Sequence, residues 1–343
     1  MGPFPVVAPT ARLGSFAAMR LGNGELLFIP IEDENFVFGT DGNDALTGTV
    51  GIDDMFRPDG DDVLVGAAGD DELFGGAGND TLDGGTGFNL LLGGPGDDHC
   101  QLDDALDVVL EEPGQGFDVV FTPANMIVLG AVELIVLQGG DDISVAAGVQ
   151  EQSIVILGNA GNNLLIGGNA GDSLLGNGGT NILVGNAGND VLAGGASPDG
   201  LVGGAGTDVL IGGAGGDFFS FADLEDVACV AQNGPAPFAS LDVDLILDFD
   251  SGTDKVALTT VVAPGAREGE QIQGLAFSTI AGPFNGTNAG ANAAHAAGKP
   301  AFVFSHADAA LYFDANGDAD GYTVVASFDD AAPQASDIVV AAA

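Results

Sequence analysis

Acidic side chains recur at a fixed interval of nine residues in two parts of the chain. From Gly39 to Gln101, and again from Gly158 to Ser220, the sequence divides without a gap into seven units of nine residues. The sixth residue of each unit is Asp or Asn: Asp44, Asp53, Asp62, Asp71, Asp80, Asn89 and Asp98 in the first array, and Asn163, Asp172, Asn181, Asp190, Asp199, Asp208 and Asp217 in the second. Oxygen ligands of this kind bind hard divalent cations when they converge.

The other positions of the unit indicate how these side chains are placed. The eighth residue is apolar in all fourteen units, and the fourth residue of every first-array unit is glycine. A turn of about six residues followed by a short strand fits this pattern, since strand alternation then directs the eighth side chain inward. Two units form one coil, so units 18 residues apart stack on each other. The sequence therefore predicts an all-β parallel β-roll solenoid in two blocks.

Stacking also aligns the sixth-position carboxylates of successive coils, where they would repel one another. A divalent cation between the turns removes this repulsion. Calcium accepts six to eight oxygen ligands in loose geometry, whereas magnesium requires a tighter octahedron and keeps its waters, so Ca²⁺ is the predicted cofactor. Binding and folding should then be coupled.

Composition limits the classes of partner. The 343 residues include 6 Lys and Arg against 50 Asp and Glu, a formal net charge of −44. Nucleic acid is therefore not an expected partner, because binding it requires clustered positive charge. Apolar residues make up 46% of the chain, which argues against disorder from low hydrophobicity. The sequence has no transmembrane stretch of about 20 apolar residues and no typical N-terminal secretory signal.

With its tandem nonapeptides, the chain resembles the RTX (repeats-in-toxin) family of secreted calcium-binding β-roll proteins. The resemblance implies that aspartates of stacked turns and turn carbonyls coordinate the ions. Asn163 and Asn181 lie 18 residues apart and replace Asp on one side of the second roll. We expect weak or absent calcium there and occupied sites at Asp172, Asp190 and Asp208. Unit three begins with Arg57 and Pro58 instead of glycine, and we expect a wider turn.

The C-terminal part carries two further resemblances. The segment from Asp244 to Leu258 is similar to the element that closes serralysin-type β-rolls, which implies that Asp244, Asp248 and Asp254 supply or support calcium. Polar turns between strands are an equally good interpretation of these residues. The final residues, SDIVVAAA, resemble uncleaved C-terminal signals of type I secretion. That resemblance implies a type I secretion apparatus as a partner and a secreted, extracellular location.

We divide the chain into an N-terminal segment (1–38), a first roll (39–101), an ion-free solenoid connection (102–157), a second roll (158–221) and a C-terminal β-domain that caps the solenoid (222–343). Within the connection, Glu111, Glu112 and Asp118 could suggest the carboxylate pair of a glycosidase. No aromatic residues of the kind that bind sugars surround them, so this interpretation is disfavoured.

No catalytic motif accompanies the repeats. The sequence has no H-E-x-x-H zinc site, no G-x-S-x-G elbow and no P-loop, so we predict a protein that is not an enzyme. The predicted function is calcium-switched folding outside the cell with a structural, surface-associated or adhesive role. The alternative is a non-catalytic accessory or truncated member of an RTX hydrolase family. Outward residues Phe56, Phe74 and Leu92 should form an apolar ladder, covered by the rest of the chain or used for self-association.

Overall fold

The regular structure of this protein consists of β-strands. The computed structural model describes residues 16–20, 26–30, 35–57, 59–148, 150–221, 228–230, 244–251, 253–259, 276–280, 301–305, 310–314, 322–328, 333–334 and 337–341. No α-helix occurs in these ranges, and so none that could span a membrane.

Thirty-one strands follow one another through the described ranges. Up to the end of the first array they are β1 (Phe16–Arg20), β2 (Leu26–Pro30), β3 (Asn35–Phe38), β4 (Ala45–Thr47), β5 (Asp53–Phe56), β6 (Val63–Val65), β7 (Glu72–Phe74), β8 (Thr81–Asp83), β9 (Leu90–Leu92) and β10 (His99–Gln101). Between the arrays they are β11 (Val108–Val109), β12 (Val119–Thr122), β13 (Met126–Ile127), β14 (Leu134–Leu137), β15 (Ser144–Ala146) and β16 (Val155–Leu157).

The second array and the C-terminal part supply the remaining strands. Those of the second array are β17 (Leu164–Ile166), β18 (Ser173–Leu175), β19 (Ile182–Ala187), β20 (Val191–Gly195), β21 (Gly200–Ala205), β22 (Val209–Gly213) and β23 (Phe218–Phe221). The C-terminal strands are β24 (Ala228–Val230), β25 (Leu245–Ile246), β26 (Lys255–Thr259), β27 (Ala276–Ile280), β28 (Ala301–Ser305), β29 (Ala310–Asp314), β30 (Tyr322–Phe328) and β31 (Ile338–Ala341).

Even- and odd-numbered strands of the arrays lie on opposite faces of a parallel solenoid. One face is a continuous sheet from β4 through β6, β8 and so on to β22 and β25. The opposite face is divided into two sheets, β3 to β11 and β13 to β31, and the division falls in the connection. Leu64 pairs with Leu82 and Leu82 with Cys100, so stacked residues are 18 apart in sequence. The prediction of a parallel β-roll solenoid is confirmed.

The core is the stripe of eighth-position side chains between the two faces. Leu64, Leu82, Leu183 and Leu201 are completely buried, and Cys100 is almost so. Burying one such leucine stabilises the fold by about 1.5–3 kcal/mol. A single nine-residue unit cannot bury its leucine without neighbouring units. The repeat therefore positions its turns through a core that only the stacked array can form.

Strands after the second array continue both faces. On the continuous face β25 pairs in parallel with β22 and with β30, and β29 and β28 follow as antiparallel neighbours. On the other face β26 pairs with β23, and β31 then pairs with β26. The turns of the arrays are thus followed by further turns built from residues outside the nonapeptide register.

Candidate metal centre

The sixth-position carboxylates lie in two buried lines, one at each edge of the solenoid. In nine of these carboxylates one oxygen, Oδ1, accepts a hydrogen bond from the backbone N–H of the residue 18 positions earlier, at 2.6–2.9 Å. This holds for Asp62, Asp71, Asp80, Asp98, Asp172, Asp190, Asp199, Asp208 and Asp217. The bond ties each turn to the turn before it and fixes the direction of the carboxylate. The predicted alignment of these side chains is confirmed.

The second oxygen, Oδ2, points toward the first glycine of its own unit. In six glycine-started turns this atom is buried and has no hydrogen-bond partner among the described residues: Asp71, Asp80, Asp98, Asp190, Asp199 and Asp217. A buried carboxylate oxygen without a partner is costly, because it has lost its water and gained nothing in return.

The first glycine, which has no Cβ atom, allows this oxygen to approach closely. A Cβ atom built on Gly185 would contact Oδ2 of Asp190 and lie 2.5 Å from the carbonyl oxygen of Gly203. The same convergence of carboxylate and carbonyl oxygen is found at Gly66, Gly75 and Gly194. Each cradle, meaning the space bounded by these two oxygens and the glycine hydrogens, therefore offers only oxygen ligands. This donor set fits Ca²⁺, which binds carboxylate and carbonyl oxygens.

Turns with Asn at the sixth position satisfy the same carbonyls without an ion. Nδ2 of Asn181 donates to the carbonyl oxygens of Gly178 and Gly179 at 3.2 Å and lies 3.4 Å from that of Gly194. Nδ2 of Asn89 donates to Gly85 at 2.8 Å. The backbone N–H of Asn163 donates to Oδ1 of Asn181 at 2.9 Å, so these two residues lie in the same line. The amide of Asn181 thus takes the place that a cation would have, in keeping with weak or absent calcium at the Asn163 and Asn181 turns, whereas Asp199 and Asp217 continue the same line as carboxylates.

Carboxylates in the first turns of the lines have a local donor instead. Oδ2 of Asp44 accepts from the N–H of Thr40 at 2.8 Å, that of Asp53 from Thr49 at 2.6 Å, and that of Asp172 from Gly168 at 2.6 Å. Because these oxygens already accept a hydrogen bond, the first turns differ in chemistry from the interior ones.

Arg57 provides a cation from the protein itself. It stands where other turns begin with glycine, and its buried guanidinium Nη1 lies 2.6 Å from Oδ2 of Asp44 and 3.9 Å from Oδ1 of Asp62. A Cβ atom on Gly39 would collide with this guanidinium. Arg57 therefore occupies the space between the first two turns of its line. Pro58, which we expected to widen the turn together with Arg57, lies outside the described residues.

Replacing Arg57 by glycine is expected to add at least one calcium ion per molecule. The substitution restores the glycine-started turn and frees the carboxylates of Asp44 and Asp62 for a cation. Native mass spectrometry at saturating calcium measures the number of ions. Arg57→Met serves as the control, because it removes the charge but keeps a side chain in the space, and it should add none. An unchanged ion number in R57G would contradict this reading of the turn.

Burial changes the acidity of the interior carboxylates. Desolvation raises the pKa of Asp98 and Asp190 to about 7 and the pKa of Asp80 and Asp217 to about 6, and neighbouring carboxylates of the same line add to the effect. These groups resist ionisation unless a cation accompanies them. Protons and calcium should therefore compete for the same oxygens.

The competition predicts opposite pH dependences with and without calcium. Raised pKa values mean that the folded chain binds more protons than the unfolded one, so without calcium its stability decreases as pH rises through about 6–7. In chelator, the far-UV circular dichroism signal of β-structure should thus grow as pH falls from about 8 to about 5. Calcium affinity should decrease over the same range. A chelated protein whose β-signal is independent of pH would contradict the assignment of raised pKa values.

Two of the three C-terminal aspartates, Asp244 and Asp254, continue the lines of the second array. Oδ1 of Asp244 accepts from the N–H of Asp208, and Oδ1 of Asp254 from that of Asp217, both at 3.0 Å. Asp248 instead caps a glycine pair, since it accepts from Gly212 at 2.8 Å and Gly213 at 2.6 Å. Asp244 and Asp254 thus take the same place in the lines as the sixth residues of the repeat, although the sequence that leads to them does not follow the nine-residue period.

Sequence reasoning missed Arg57 as an internal cation, Asp107 and Glu133 as members of the lines, and Glu111 as a carboxylate at the start of a turn. Oδ1 of Asp107 accepts from the N–H of Asn89 at 2.9 Å, and Oε2 of Glu133 accepts from Asp118 at 2.8 Å. The 18-residue spacing could have indicated the places of three of them. Arg57, Asp107 and Glu111 stand 18 residues after Gly39, Asn89 and Gly93, respectively. Glu111 and Asp118, considered as a glycosidase pair, lie together in a buried cluster with Asp98.

Comparison with known proteins agrees with this geometry. The family model of the RTX calcium-binding nonapeptide repeat (4 copies) matches residues 32–55, 59–91, 75–104, 155–183 and 184–219. Among curated proteins no match is found. The matched segments include the strands and turns that form both lines of carboxylates. The matched segments carry the RTX calcium-binding nonapeptide repeat, and these repeats bind Ca²⁺.

Proposed function

We propose that this protein is a secreted, non-enzymatic RTX protein that folds when it meets extracellular calcium and then serves a structural or adhesive role at a surface. The observation that carries the proposal is the set of six buried carboxylates whose Oδ2 atoms lie against the first glycine of their own unit without a hydrogen-bond partner among the described residues. Such a structure is unfavourable at neutral pH unless cations enter it.

The calcium switch follows from two opposing terms. Without calcium, carboxylates in line repel one another, and the chain as a whole carries a net charge of −44. With calcium, each filled site stabilises the folded form by about 2.7 kcal/mol when the free ion is at about 100 times its Kd. Several sites acting on one solenoid make the transition steep, because each coil contacts only its neighbours. Extracellular calcium-binding modules work at about 0.1–1 mM, well above cytosolic calcium.

The position of the C-terminal segment supports a link between folding and export. Ile338–Ala341, within the stretch that resembles a type I signal, pairs with β26 as strand β31. Asp337, next to it, is buried and accepts from Ser251 Oγ at 2.8 Å. In the unfolded chain this segment is free to engage a secretion apparatus, and folding outside the cell withdraws it into the sheet. Export would then be irreversible.

Deleting residues 337–343 tests the export step. In a host with a type I secretion system for RTX proteins, the full chain should accumulate in the medium and the truncated chain in the cells. A host without the secretion ATPase provides the control for leakage. Equal appearance of both chains in the medium would contradict export through this segment, without bearing on calcium binding.

An outward aromatic ladder supports the surface role. Phe38, Phe56 and Phe74 stack on consecutive strands, with ring centroids 5.7 and 4.6 Å apart. Phe38 is 55% exposed, and Phe56 and Phe74 are partly exposed. Apolar rows on a folded surface commonly mark contacts with other molecules.

The double substitution of Phe56 and Phe74 by Asp is expected to abolish self-association of the calcium-loaded protein while leaving its calcium-dependent fold intact. These side chains lie outside the core, so the substitution adds charge only to the outer face of the ladder. Sedimentation velocity at several protein concentrations measures association. The control is Glu72→Ala, at an exposed outward position of the same strand as Phe74. Identical assembly of the variant and the wild type would argue against a role for the ladder.

A further inference from the structure

The first array ends in a cluster of three carboxylates that belongs only in part to the repeat. Asp98 is the last sixth-position residue, whereas Glu111 and Asp118 come from the connection. One carboxylate oxygen from each of the three lies within 4.8 Å of the others. The side chains are almost fully buried, with 0%, 6% and 3% exposure for Asp98, Glu111 and Asp118.

Backbone hydrogen bonds hold the cluster in place. Glu111 stands 18 residues after Gly93, where a regular array would have the first glycine of the next turn. Its carboxylate accepts from the N–H groups of Gly93 at 2.8 Å and Gly94 at 3.2 Å. Asp118 accepts from the N–H of Asp98 at 3.0 Å, as the sixth residue of a next turn would do. Glu111 thus adds a carboxylate where a regular turn has only glycine.

Independent of this clustering, Asp98 lacks a partner for its second oxygen. Oδ2 of Asp98 is buried and makes no hydrogen bond to any described residue, and it lies against Gly93, the first glycine of its unit. The ion pairs of the described chain involve Arg57 and Lys255, and neither reaches this cluster. Three carboxylates this close in a water-poor site require a cation for all of them to be ionised.

We propose that Asp98, Glu111 and Asp118 form a Ca²⁺ site that closes the first array and joins the connection to it. Three carboxylates give this site one charge more than two stacked aspartates provide. Because the number of charged ligands sets calcium affinity, it should be among the tightest sites of the first roll and lose its ion late on chelation. The proposal replaces our sequence-based expectation of an ion-free connection. It rests on the calcium chemistry proposed for the repeats and concerns the ion at the end of the first array, whose ligands come partly from the connection.

Glu111→Gln and Glu112→Gln form a matched pair for the test. Both remove one negative charge without changing size, but Glu111 belongs to the cluster, whereas Glu112 is exposed beside it. By native mass spectrometry at saturating calcium, E111Q should carry one ion fewer than the wild type, and E112Q the same number. Circular dichroism on the same samples confirms that each variant is folded.

Two results would overturn the site. The first is an E111Q protein that is folded and keeps its full number of ions. The second is an E111Q protein that becomes more stable in calcium, since the cluster would then be holding a proton. If E111Q does not fold, a crystal structure of the wild type grown with calcium decides, because density about 2.3–2.6 Å from all three carboxylates must be present. A chain that folds fully without calcium would instead refute the proposed switch, and ion counting would still decide this site.

Discussion

Replacing Gly185 by alanine should remove one calcium ion and destabilise the calcium-loaded protein by about 4–6 kcal/mol, the sum of about 1–3 for overpacking and about 2.7 for the lost ion at about 100 times its Kd. The added methyl would contact Oδ2 of Asp190 and lie 2.5 Å from the carbonyl oxygen of Gly203. It would therefore displace the two oxygens that we propose as calcium ligands. Denaturant unfolding in calcium, with ion counting by native mass spectrometry, measures both effects.

Gly140→Ala is the control for this substitution. A Cβ atom at Gly140 would meet nothing within 4 Å, so the same chemical change is made in open space. Its stability and ion number should equal those of the wild type. If G185A kept every ion and lost stability only by the amount expected for overpacking, the cradle beside Gly185 would not be a calcium site.

Asp190→Asn and Asn181→Asp are expected to have opposite effects. In calcium, Asp190→Asn should lose one ion and about 2.7 kcal/mol of stability at about 100 times Kd. In chelator the same variant should be more stable than the wild type, because burial raises the pKa of Asp190 to about 7 and an amide carries no such cost. Its Nδ2 should donate to turn carbonyls as that of Asn181 does.

Asn181→Asp should gain an ion in calcium and lose stability in chelator. Asn162→Asp is its control, because Asn162 is an exposed residue of the same roll and the substitution adds the same charge outside the line. Thermal unfolding in calcium and in chelator, with native mass spectrometry, measures all three variants. A stability change of the same sign under both conditions would mean that the sixth position acts through packing and not through calcium.

Much of the fold could be predicted because the repeat specifies it several times over. The period of nine residues, the inward eighth residue and the pairing of residues 18 apart all agree, as the pairing of Leu64 with Leu82 illustrates. The lines of sixth-position residues follow from the same register. Asn163 and Asn181 could be assigned to one line from spacing alone, and the structure confirms that placement.

Arg57 and Glu111 could not be assigned from the pattern. Arg57 replaces the glycine at the start of a unit, and Glu111 stands where the glycine of a further unit would be. The residue type at such a turn position does not indicate which groups its side chain contacts. Only the stacked coils show that Arg57 reaches back to Asp44 and that Glu111 caps the backbone of Gly93. Asp254 was expected from resemblance, but its place in a line depends on a longer intervening segment that has no fixed period.

A calcium titration followed by far-UV circular dichroism and sedimentation velocity tests most directly whether calcium between the turns drives folding. Magnesium is the control. We expect a cooperative transition from an expanded coil to a compact β-structure at about 0.1–1 mM calcium, and none with magnesium. A compact chain with full β-signal in chelator at neutral pH would contradict this expectation, because the buried carboxylates would then be tolerated without their ions.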